Sequence, residues 1–268
     1  MDELHRDNLA YWNDVAPIHL ASPFYQTEVF RRGQIVLDPV AKAGVGEVAG
    51  QRVLHLQCHF GLDTLSLARM GAEVTGLDYA PSAIEAARSL AQETGVAADF
   101  VLADVLAPPP GLIGFDLVFA SWGAICWHSD IVRWMQVAAA ALKPGGRLYL
   151  VEGHPAMLML DDRLDASSPL QVGFAYDSSS PVITEGFTDY AVPGAVAGTG
   201  RTASWNHGLG SILNAAIEAG FLIRRLEEGD RVPWQALPQL ISNGDRYWTL
   251  PPSSPFVPLS FALDAILA

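Results

Sequence analysis

The sequence predicts an α/β protein built around a parallel β-sheet with helices on both of its faces. Between residues 52 and 152, short apolar segments alternate with segments whose apolar residues recur at helical spacing. That order is typical of parallel strands joined by crossover helices. The strand segments are also apolar along nearly their whole length, as expected where both faces of a sheet are covered.

Glycine and proline residues mark the ends of these segments. Gly71 and Gly95 are expected to end two helices, and Pro81 suits the first turn of the second one. Lys143–Gly146 predicts a sharp turn before the fifth strand. The predicted strands are 52–56, 73–78, 99–102, 115–120 and 147–152, and the predicted helices are 63–70, 81–93 and 131–142.

The flanking regions are less regular and are predicted to belong to the same structural domain. Residues 1–50 are expected to form an N-terminal helical cover, and residues 51–268 the main domain. Residues 155–205 are rich in Ser, Gly and Thr, which indicates an insertion after strand five. A helix is predicted over 209–219, a strand over 221–227 and a last edge strand over 258–266.

Composition and charge exclude several functional classes. Half of the 268 residues are hydrophobic, the mean hydropathy is +0.22 and the formal net charge is −13. A chain of this kind can bury a substantial core. Its 16 basic residues against 29 acidic ones show no stripe of clustered Lys and Arg that could contact the phosphates of a nucleic acid. We therefore expect a small-molecule substrate, with neither nucleic acid nor membrane as a partner. The oligomeric state is unknown, and a homodimer is left open.

The sequence has neither a targeting pattern nor a metal-binding pattern. The N-terminus is acidic and lacks an apolar core, and no apolar run approaches the roughly 20 residues that span a bilayer. Cys58 and Cys126 are too few for a disulfide framework, and the cysteines and histidines show no metal-ligand spacing. We expect a cytoplasmic protein without a metal site.

Residues suited to ligand contact follow four consecutive predicted strands. The turn 57–61 after strand one should leave backbone N–H groups pointing into a crevice at the strand ends. Asp78 ends strand two and can accept hydrogen bonds from both hydroxyls of a ribose. Asp104 ends strand three, and Ser121 and Trp122 end strand four. Their shared placement predicts a nucleoside-type cofactor site at this edge.

Residues 52–152 resemble the class I S-adenosylmethionine-dependent methyltransferases. The matching stretches are VLHLQCHFGLDTLSLARMGAEVTGLDYAPSAIEAAR, FVLADV, FDLVFASWG and LKPGGRLYLVE. The resemblance implies a Rossmann-like, doubly wound seven-stranded sheet, mostly parallel, whose last strand runs antiparallel. It implies S-adenosylmethionine as cofactor and S-adenosylhomocysteine as product. The methionine moiety is then expected near 57–61, the ribose on Asp78 beside Tyr79, and adenine near Asp104 and Val105.

The first cofactor motif departs from the pattern of that family. The usual motif has an acidic residue followed by three alternating glycines. Here His55 holds the acidic position, Gln57 and His59 hold the first two glycine positions, and Gly61 alone remains. The variant is similar to a bacterial small-molecule subgroup with an LHLQCHFGLDTL-type motif. Side chains of this turn, which includes Cys58, are therefore expected at the cofactor where the common pattern offers backbone alone.

The acceptor site has no comparable motif. Tyr11 and Trp12 either pin the N-terminal segment to the sheet or close over the methionine end of the cofactor, as N-terminal aromatic residues often do in this superfamily. Residues 1–50 and 155–205 are expected to cover a partly apolar or aromatic acceptor, methylated on O or N by in-line displacement. Four histidines are candidates for positioning that acceptor or for a general base: His154, His128, His19 and His207.

Two other interpretations stay open. An NAD-type oxidoreductase would share the sheet and the ribose carboxylate, but the Gly-x-Gly-x-x-Gly spacing is absent between residues 55 and 63. The altered glycine motif also leaves open a protein that binds S-adenosylmethionine without transferring its methyl group.

Overall fold

A seven-stranded sheet flanked by helices forms the centre of the protein. The computed structural model describes residues 3–186, 189–192, 194–195 and 200–268. The strands are β1 (Arg52–Leu56), β2 (Glu73–Asp78), β3 (Asp99–Leu102), β4 (Phe115–Ser121), β5 (Leu142–Gly153), β6 (Val182–Glu185), β7 (Arg201–Ser204), β8 (Phe221–Gly229), β9 (Arg231–Val232), β10 (Ile241–Ser242), β11 (Trp248–Thr249) and β12 (Ser260–Leu267). The α-helices are α1 (Glu3–Ala21), α2 (Thr27–Arg31), α3 (Pro39–Val45), α4 (Leu62–Arg69), α5 (Pro81–Thr94), α6 (Ile131–Ala141), α7 (Pro155–Leu158) and α8 (Leu209–Glu218).

The large sheet has the strand order β3-β2-β1-β4-β5-β12-β8. Strands β3, β2, β1, β4 and β5 pair in parallel, while β12 runs antiparallel to both β5 and β8. The predicted Rossmann-like sheet of seven strands, mostly parallel and with an antiparallel last strand, is confirmed.

Alternating residues of the central strands pack against different layers, which explains their continuous apolar character. Leu54 and Leu56 of β1 join the cluster that α6 and α8 complete, whereas Val53, which precedes them, packs in the cluster of α3. Each face of the sheet is therefore covered by helices, and the one buried polar side chain of β1, His55, is hydrogen-bonded to the hydroxyl of Thr64 at 2.8 Å. Gly95 ends α5 in a left-handed conformation with φ of +66°, as its position predicted.

Two predictions about strands are wrong. The last strand, β12, lies between β5 and β8 rather than at the edge, and β8 is the edge strand. The one charged residue of β12, Asp264, lies 3.1 Å from the guanidinium of Arg147 on β5, so its charge is paired inside the sheet. The predicted turn Lys143–Gly146 falls within β5, which begins at Leu142. The register of β5 against β4 shifts there, because Phe115 pairs with Leu142 and Leu117 with Arg147, which leaves extra residues in β5.

The flanking segments form a cover on one edge of the sheet. Helix α1 packs against α5 and β7, and the Asn8 amide exchanges two hydrogen bonds of 2.8 Å with the backbone of Ala203. Strands β6 and β7 form a separate antiparallel pair, and β9, β10 and β11 form a small three-stranded sheet. None of the helices in the described part of the chain combines the length and apolar character that crossing a membrane requires.

Candidate active site

A cavity of about 1340 Å³ opens at the carboxyl ends of β1, β2 and β4. The chain winds from β1 outward to β3 and then returns to β4 on the other side of β1. Ligands of open α/β sheets bind at such a switch point. A pocket of roughly 300–1,000 Å³ holds one drug-sized ligand, so this cavity has room for two molecules side by side.

Acidic side chains dominate the charge of the cavity wall. Only two guanidinium groups, Arg163 and Arg246, are found among the described lining residues. A ligand carrying positive charge is therefore favoured over an anionic one by the summed field of the wall. The lining carboxylates are Asp38, Asp63, Asp78, Asp162, Glu185 and Asp189.

The turn after β1 keeps the backbone path of an alternating-glycine motif at positions that are not glycine. The φ angle is +57° at Gln57, +52° at His59 and +74° at Gly61. Gly61 also has no room for a side chain, because a Cβ would lie 2.6 Å from the ring of Phe100. A left-handed conformation costs a non-glycine residue of order 1–3 kcal/mol. The contacts of Gln57 and His59 must offset that cost.

Gln57 is held by its amide. Nε2 donates to the carbonyl of Ala124 at 2.7 Å, and Oε1 accepts from Nε1 of Trp134 at 2.8 Å. The side chain lines the cavity, but one amide hydrogen and one oxygen lone pair are all that remain for a ligand. Gln57 therefore serves first to fasten the turn to the loop after β4 and to α6.

Asp78 lies at the tip of β2 and is 7% exposed, on the wall of the cavity. Its Oδ2 accepts from the backbone N–H of His59 at 2.8 Å, and its Oδ1 accepts from that of Ala80 at 2.9 Å. Burial raises the pKa of Asp78 to about 6, although these backbone donors oppose the shift. The backbone N–H of Tyr79 also acts on this carboxylate, which has about four lone-pair sites in all, so at least one site remains for a ligand.

Other predicted cofactor residues divide into two groups. Those that line the cavity with Gln57 and Asp78 are Trp12, Cys58, His59, Tyr79, Ser121 and Trp122. Those that are not part of its lining are Tyr11, Gly61, Asp104 and Val105. Asp104 accepts a hydrogen bond from the backbone of Leu106, Val105 packs in the core, and Tyr11 donates to Asp189. The cofactor roles of all these residues stay predictions.

Three of the four candidate histidines are buried away from the large cavity. His154 accepts from the backbone N–H of Ala156 at 2.9 Å, and its Nε2 lies 2.9 Å from the carboxylate of Glu228. His207 donates from Nε2 to the carbonyl of His128 at 2.8 Å. None of the three belongs to the cavity lining, so nothing in their placement supports a direct contact with an acceptor.

His19, the fourth candidate, is the centre of a buried cluster beside the cavity. Its Nε2 lies 2.5 Å from Oδ2 of Asp189, and its Nδ1 lies 2.9 Å from Nε2 of His59 and 3.2 Å from the hydroxyl of Tyr25. Tyr25 in turn shares a hydrogen bond with the hydroxyl of Tyr190. This cluster joins α1, the turn after β1 and the 189–192 segment, and all its members except His19 line the cavity.

The groups of this cluster differ in their tendency to carry charge. Burial, together with the charge of His19, lowers the pKa of His59 well below its usual value. Burial alone would raise the pKa of Asp189, but the hydrogen bond to His19 and its charge leave that pKa below the usual range. Burial also raises the pKa of Tyr25. At neutral pH the cluster therefore contains a neutral His59, a carboxylate at Asp189 and an un-ionised Tyr25.

Two carboxylates near the cavity, one partly buried and one buried, escape prediction from the sequence. Asp63, in the first turn of α4, accepts from the hydroxyl of Ser121 at 3.2 Å, and burial raises its pKa to about 6. Glu152, near the end of β5, accepts from the backbone N–H groups of residues 123, 124 and 125 at 2.6, 2.6 and 2.9 Å. The one available signal was a charged residue following an apolar strand, which also describes many solvated strand ends.

The central part of the chain is similar to known methyltransferases. Residues 53–146 match a family model described as a methyltransferase domain. The chain is 39% identical over 138 residues to the ubiquinone biosynthesis O-methyltransferase of Xanthomonas euvesicatoria pv. vesicatoria, covering 49% of this chain and 56% of that protein. It is 33% identical over 153 residues to the protein of the same name from a Methylobacterium species, covering 56% and 53%. The chain thus spans about half the length of the curated relatives it matches.

Solved structures share the fold. An S-adenosylmethionine-dependent methyltransferase from Mesorhizobium loti superposes with a TM-score of 0.60 at 23% identity, covering 88% of this chain and 99% of that one. A protein described as a putative S-adenosylmethionine-dependent methyltransferase from Listeria monocytogenes gives a TM-score of 0.61 at 14% identity, covering 85% and 96%. The structural likeness therefore extends well beyond residues 53–146.

Proposed function

We propose that this protein transfers the methyl group of S-adenosylmethionine to an oxygen of a small-molecule acceptor, because residues 53–146 match a methyltransferase domain. The observation that carries the proposal is Asp78, a buried carboxylate at the tip of β2 that lines a cavity at the switch point of the sheet. Such a carboxylate matches the paired hydroxyls of a ribose.

The residues around the cavity fit this cofactor. The left-handed turn 57–61 brings backbone close to the cavity, and Asp78 would hold the ribose while the acidic wall attracts a sulfonium. The cofactor supplies a methyl group on a sulfur that is already a good leaving group. What this chain contributes is alignment of the acceptor and exclusion of water from the reacting atoms.

The rest of the cavity is suited to an acceptor with apolar or aromatic character. Aromatic side chains from separate parts of the chain line it, and they surround space beyond that needed for one ligand. Methylation at oxygen is supported by the relatives, which are named as O-methyltransferases. The lining aromatic residues outside the turn after β1 include Trp12, Phe24, Tyr25, Trp127, Phe174, Trp234 and Trp248.

Isothermal titration calorimetry tests cofactor identity. We expect S-adenosylmethionine and S-adenosylhomocysteine to bind with a stoichiometry of one per chain, and NAD not to bind. Binding of NAD in preference to the sulfonium would instead support the oxidoreductase interpretation. The absence of binding at millimolar S-adenosylmethionine by correctly folded protein would overturn the proposal.

Product detection separates an enzyme from a protein that binds the cofactor alone. The protein is incubated with S-adenosylmethionine and a panel of phenols, alcohols and primary amines of graded size, and S-adenosylhomocysteine is measured by mass spectrometry. We expect turnover with a phenol or alcohol and little with amines. Turnover with amines alone would contradict the assignment to oxygen.

A further inference from the structure

We propose that His59 accepts the proton of the acceptor hydroxyl and passes a proton on to the buried His19–Asp189 pair. The inference rests on the proposed function, because it assumes an acceptor that loses a proton when its oxygen is methylated. A general base for such a step must lie within hydrogen-bond reach of the acceptor and be able to hold or relay the proton. His59 lines the cavity, whereas His19 stands behind it and pairs with Asp189.

The three side chains form a continuous hydrogen-bonded line. Nε2 of His59 lies 2.9 Å from Nδ1 of His19, and Nε2 of His19 lies 2.5 Å from Oδ2 of Asp189. The side chains of both His19 and Asp189 are 0% exposed. A carboxylate that holds one imidazole nitrogen fixes the tautomer of the ring and stabilises the imidazolium that forms. The same logic applies here, with the imidazole of His59 between His19 and the cavity.

The contacts determine where the protons lie before the reaction. The carboxylate of Asp189 can only accept, so Nε2 of His19 carries the proton and its Nδ1 is an acceptor when the ring is neutral. Nε2 of His59 must then donate to it, which makes Nδ1 of His59 the basic nitrogen. That nitrogen has no hydrogen-bond partner within the described parts of the chain, and the residue lines the cavity.

His59 is also connected to Asp78, the proposed ribose-binding residue. Its backbone N–H donates to Asp78 at 2.8 Å, while its side chain contacts His19. The residue adopts φ of +52° at a position where the common family motif has glycine. A strained backbone is retained where the surrounding structure over-determines it, and this is frequent at functional sites. Here the strain places an imidazole next to the expected position of the methionine end of the cofactor.

The proposed step is balanced. The acceptor oxygen forms a bond to the methyl carbon, the bond from that carbon to sulfur breaks, and its electron pair stays on sulfur. The proton of the acceptor hydroxyl moves to Nδ1 of His59, and the Nε2 proton of His59 moves to Nδ1 of His19. His19 becomes an imidazolium beside the carboxylate of Asp189, so the net charge inside the cluster rises by one.

Several other ionisable groups face this line and set its response to pH. The Tyr25 hydroxyl approaches His19 from the 3₁₀ helix Pro23–Tyr25, and Tyr190 lies behind Tyr25. The remaining ones are Asp78 at the end of β2, Asp63 in α4 and Tyr11 in α1. Because the carboxylates among these groups favour the imidazolium, their removal is expected to make the histidine pair less basic.

The first test uses the protein without any acceptor. In selectively ¹⁵N-labelled protein, long-range ¹H–¹⁵N correlation spectra at pH 7.5 report which nitrogen of each imidazole carries a proton. We expect His59 protonated on Nε2 with a bare Nδ1, and the proton of His19 on Nε2. His59→Gly and Asp189→Asn assign the signals and should each perturb those of His19. A proton on Nδ1 of His59 would overturn the proposal, since that nitrogen could not act as the base.

The second test measures steady-state kinetics with a phenol or alcohol from the panel that the protein methylates. His59→Gly removes the imidazole and also relieves the left-handed strain, so it should fold at least as well as the natural chain. We expect kcat to fall by about 100- to 10,000-fold, with the Kd for S-adenosylmethionine changed by less than about 5-fold. Asp189→Asn should lower kcat and shift the acidic limb of the pH–kcat profile downward.

A matched surface variant and the binding data separate the possible failures. Asp230→Asn makes the same chemical change at a side chain that is 63% exposed and pairs with Arg231, and it should leave both kcat and the pH profile unchanged. If His59→Gly keeps kcat within 2-fold while it still binds the cofactor, the relay is wrong and the proposed function stands. If the unmodified protein does not bind S-adenosylmethionine, the proposed function itself fails.

Discussion

Single residues at this site adopt conformations that their chemistry does not favour, and their contacts explain why. Gln57 and His59 are left-handed without being glycine, and each is held by side-chain hydrogen bonds to other segments. Asp63 and Asp78 are carboxylates in surroundings that disfavour charge. Buried groups with perturbed pKa values cluster at functional sites, and here they lie on the wall of one cavity.

Asp78→Ala should weaken cofactor binding. Removal of hydrogen bonds to a charged acceptor costs about 1–3 kcal/mol, which corresponds to a roughly 5- to 150-fold higher Kd for S-adenosylmethionine. Because burial raises the pKa of Asp78 to about 6, the affinity of the unmodified protein should also fall as the pH drops from 7 to 5. Calorimetry at both pH values measures this. An unchanged Kd in a folded variant would contradict the ribose role.

Asp63→Asn should stabilise the fold at neutral pH. Burial raises the pKa of Asp63 to about 6, so its ionisation disfavours the folded state above that pH. The penalty disappears once the residue is protonated in both states, below the unfolded pKa near 4. We expect a gain of about 1–3 kcal/mol in the free energy of unfolding at pH 7 by urea denaturation, and none near pH 3.5. A loss at pH 7 would show that the charge has stabilising partners.

At the scale of elements, the site is assembled by contacts between segments that are distant in sequence. Asn8 fastens α1 to β7, and Gln57 fastens the turn after β1 to the loop after β4. Glu152 of β5 binds three consecutive backbone N–H groups of that same loop, residues 123–125. The loop carries Trp122 and Trp127 into the cavity wall, so Glu152 fixes the position of this part of the wall.

Glu152→Gln should loosen this loop. A glutamine amide presents N–H₂ where one of the three backbone donors needs an acceptor, and it leaves a buried donor unsatisfied. We expect a loss of about 2–4 kcal/mol in the free energy of unfolding and faster backbone hydrogen exchange confined to residues 122–127. Equal exchange rates in variant and parent would contradict the anchoring role.

At the scale of the whole molecule, the N-terminal cover, the turn after β1 and the insertion after β5 close around one cavity. Ligand binding should therefore stabilise the entire fold rather than one edge of it. At a free ligand concentration of 100 times Kd the expected gain is about 2.7 kcal/mol, which corresponds to a rise in Tm of roughly 5–10 °C for a domain of this size.

Differential scanning calorimetry with S-adenosylhomocysteine measures that rise, and NAD at the same concentration is the control. We expect NAD to leave Tm within about 1 °C of the value for free protein. A Tm that responds to both ligands, or to neither at saturation, would contradict a specific site for the sulfonium cofactor.

The periodic part of the chain was predictable, while the covering segments were not. Strands β1 to β4 begin where the apolar segments predict, and most helix ends fall within a residue or two of their glycine and proline markers. Strand β12 was misplaced at the edge because its sequence pattern does not reveal whether one neighbour or two pair with it. The small sheet of β9, β10 and β11 was missed, since strands of two residues have no measurable periodicity.

The sequence by itself determined the fold class, the family resemblance and the carboxylate Asp78 at a strand end, because these depend on local periodicity and on motifs with short spacing. The tertiary structure alone decided that His19 rather than His154, His128 or His207 stands beside the cavity, and that Asp189 pairs with it across 170 residues. Contacts between residues so far apart depend on how the cover closes over the sheet, and no local pattern in the chain encodes that closure.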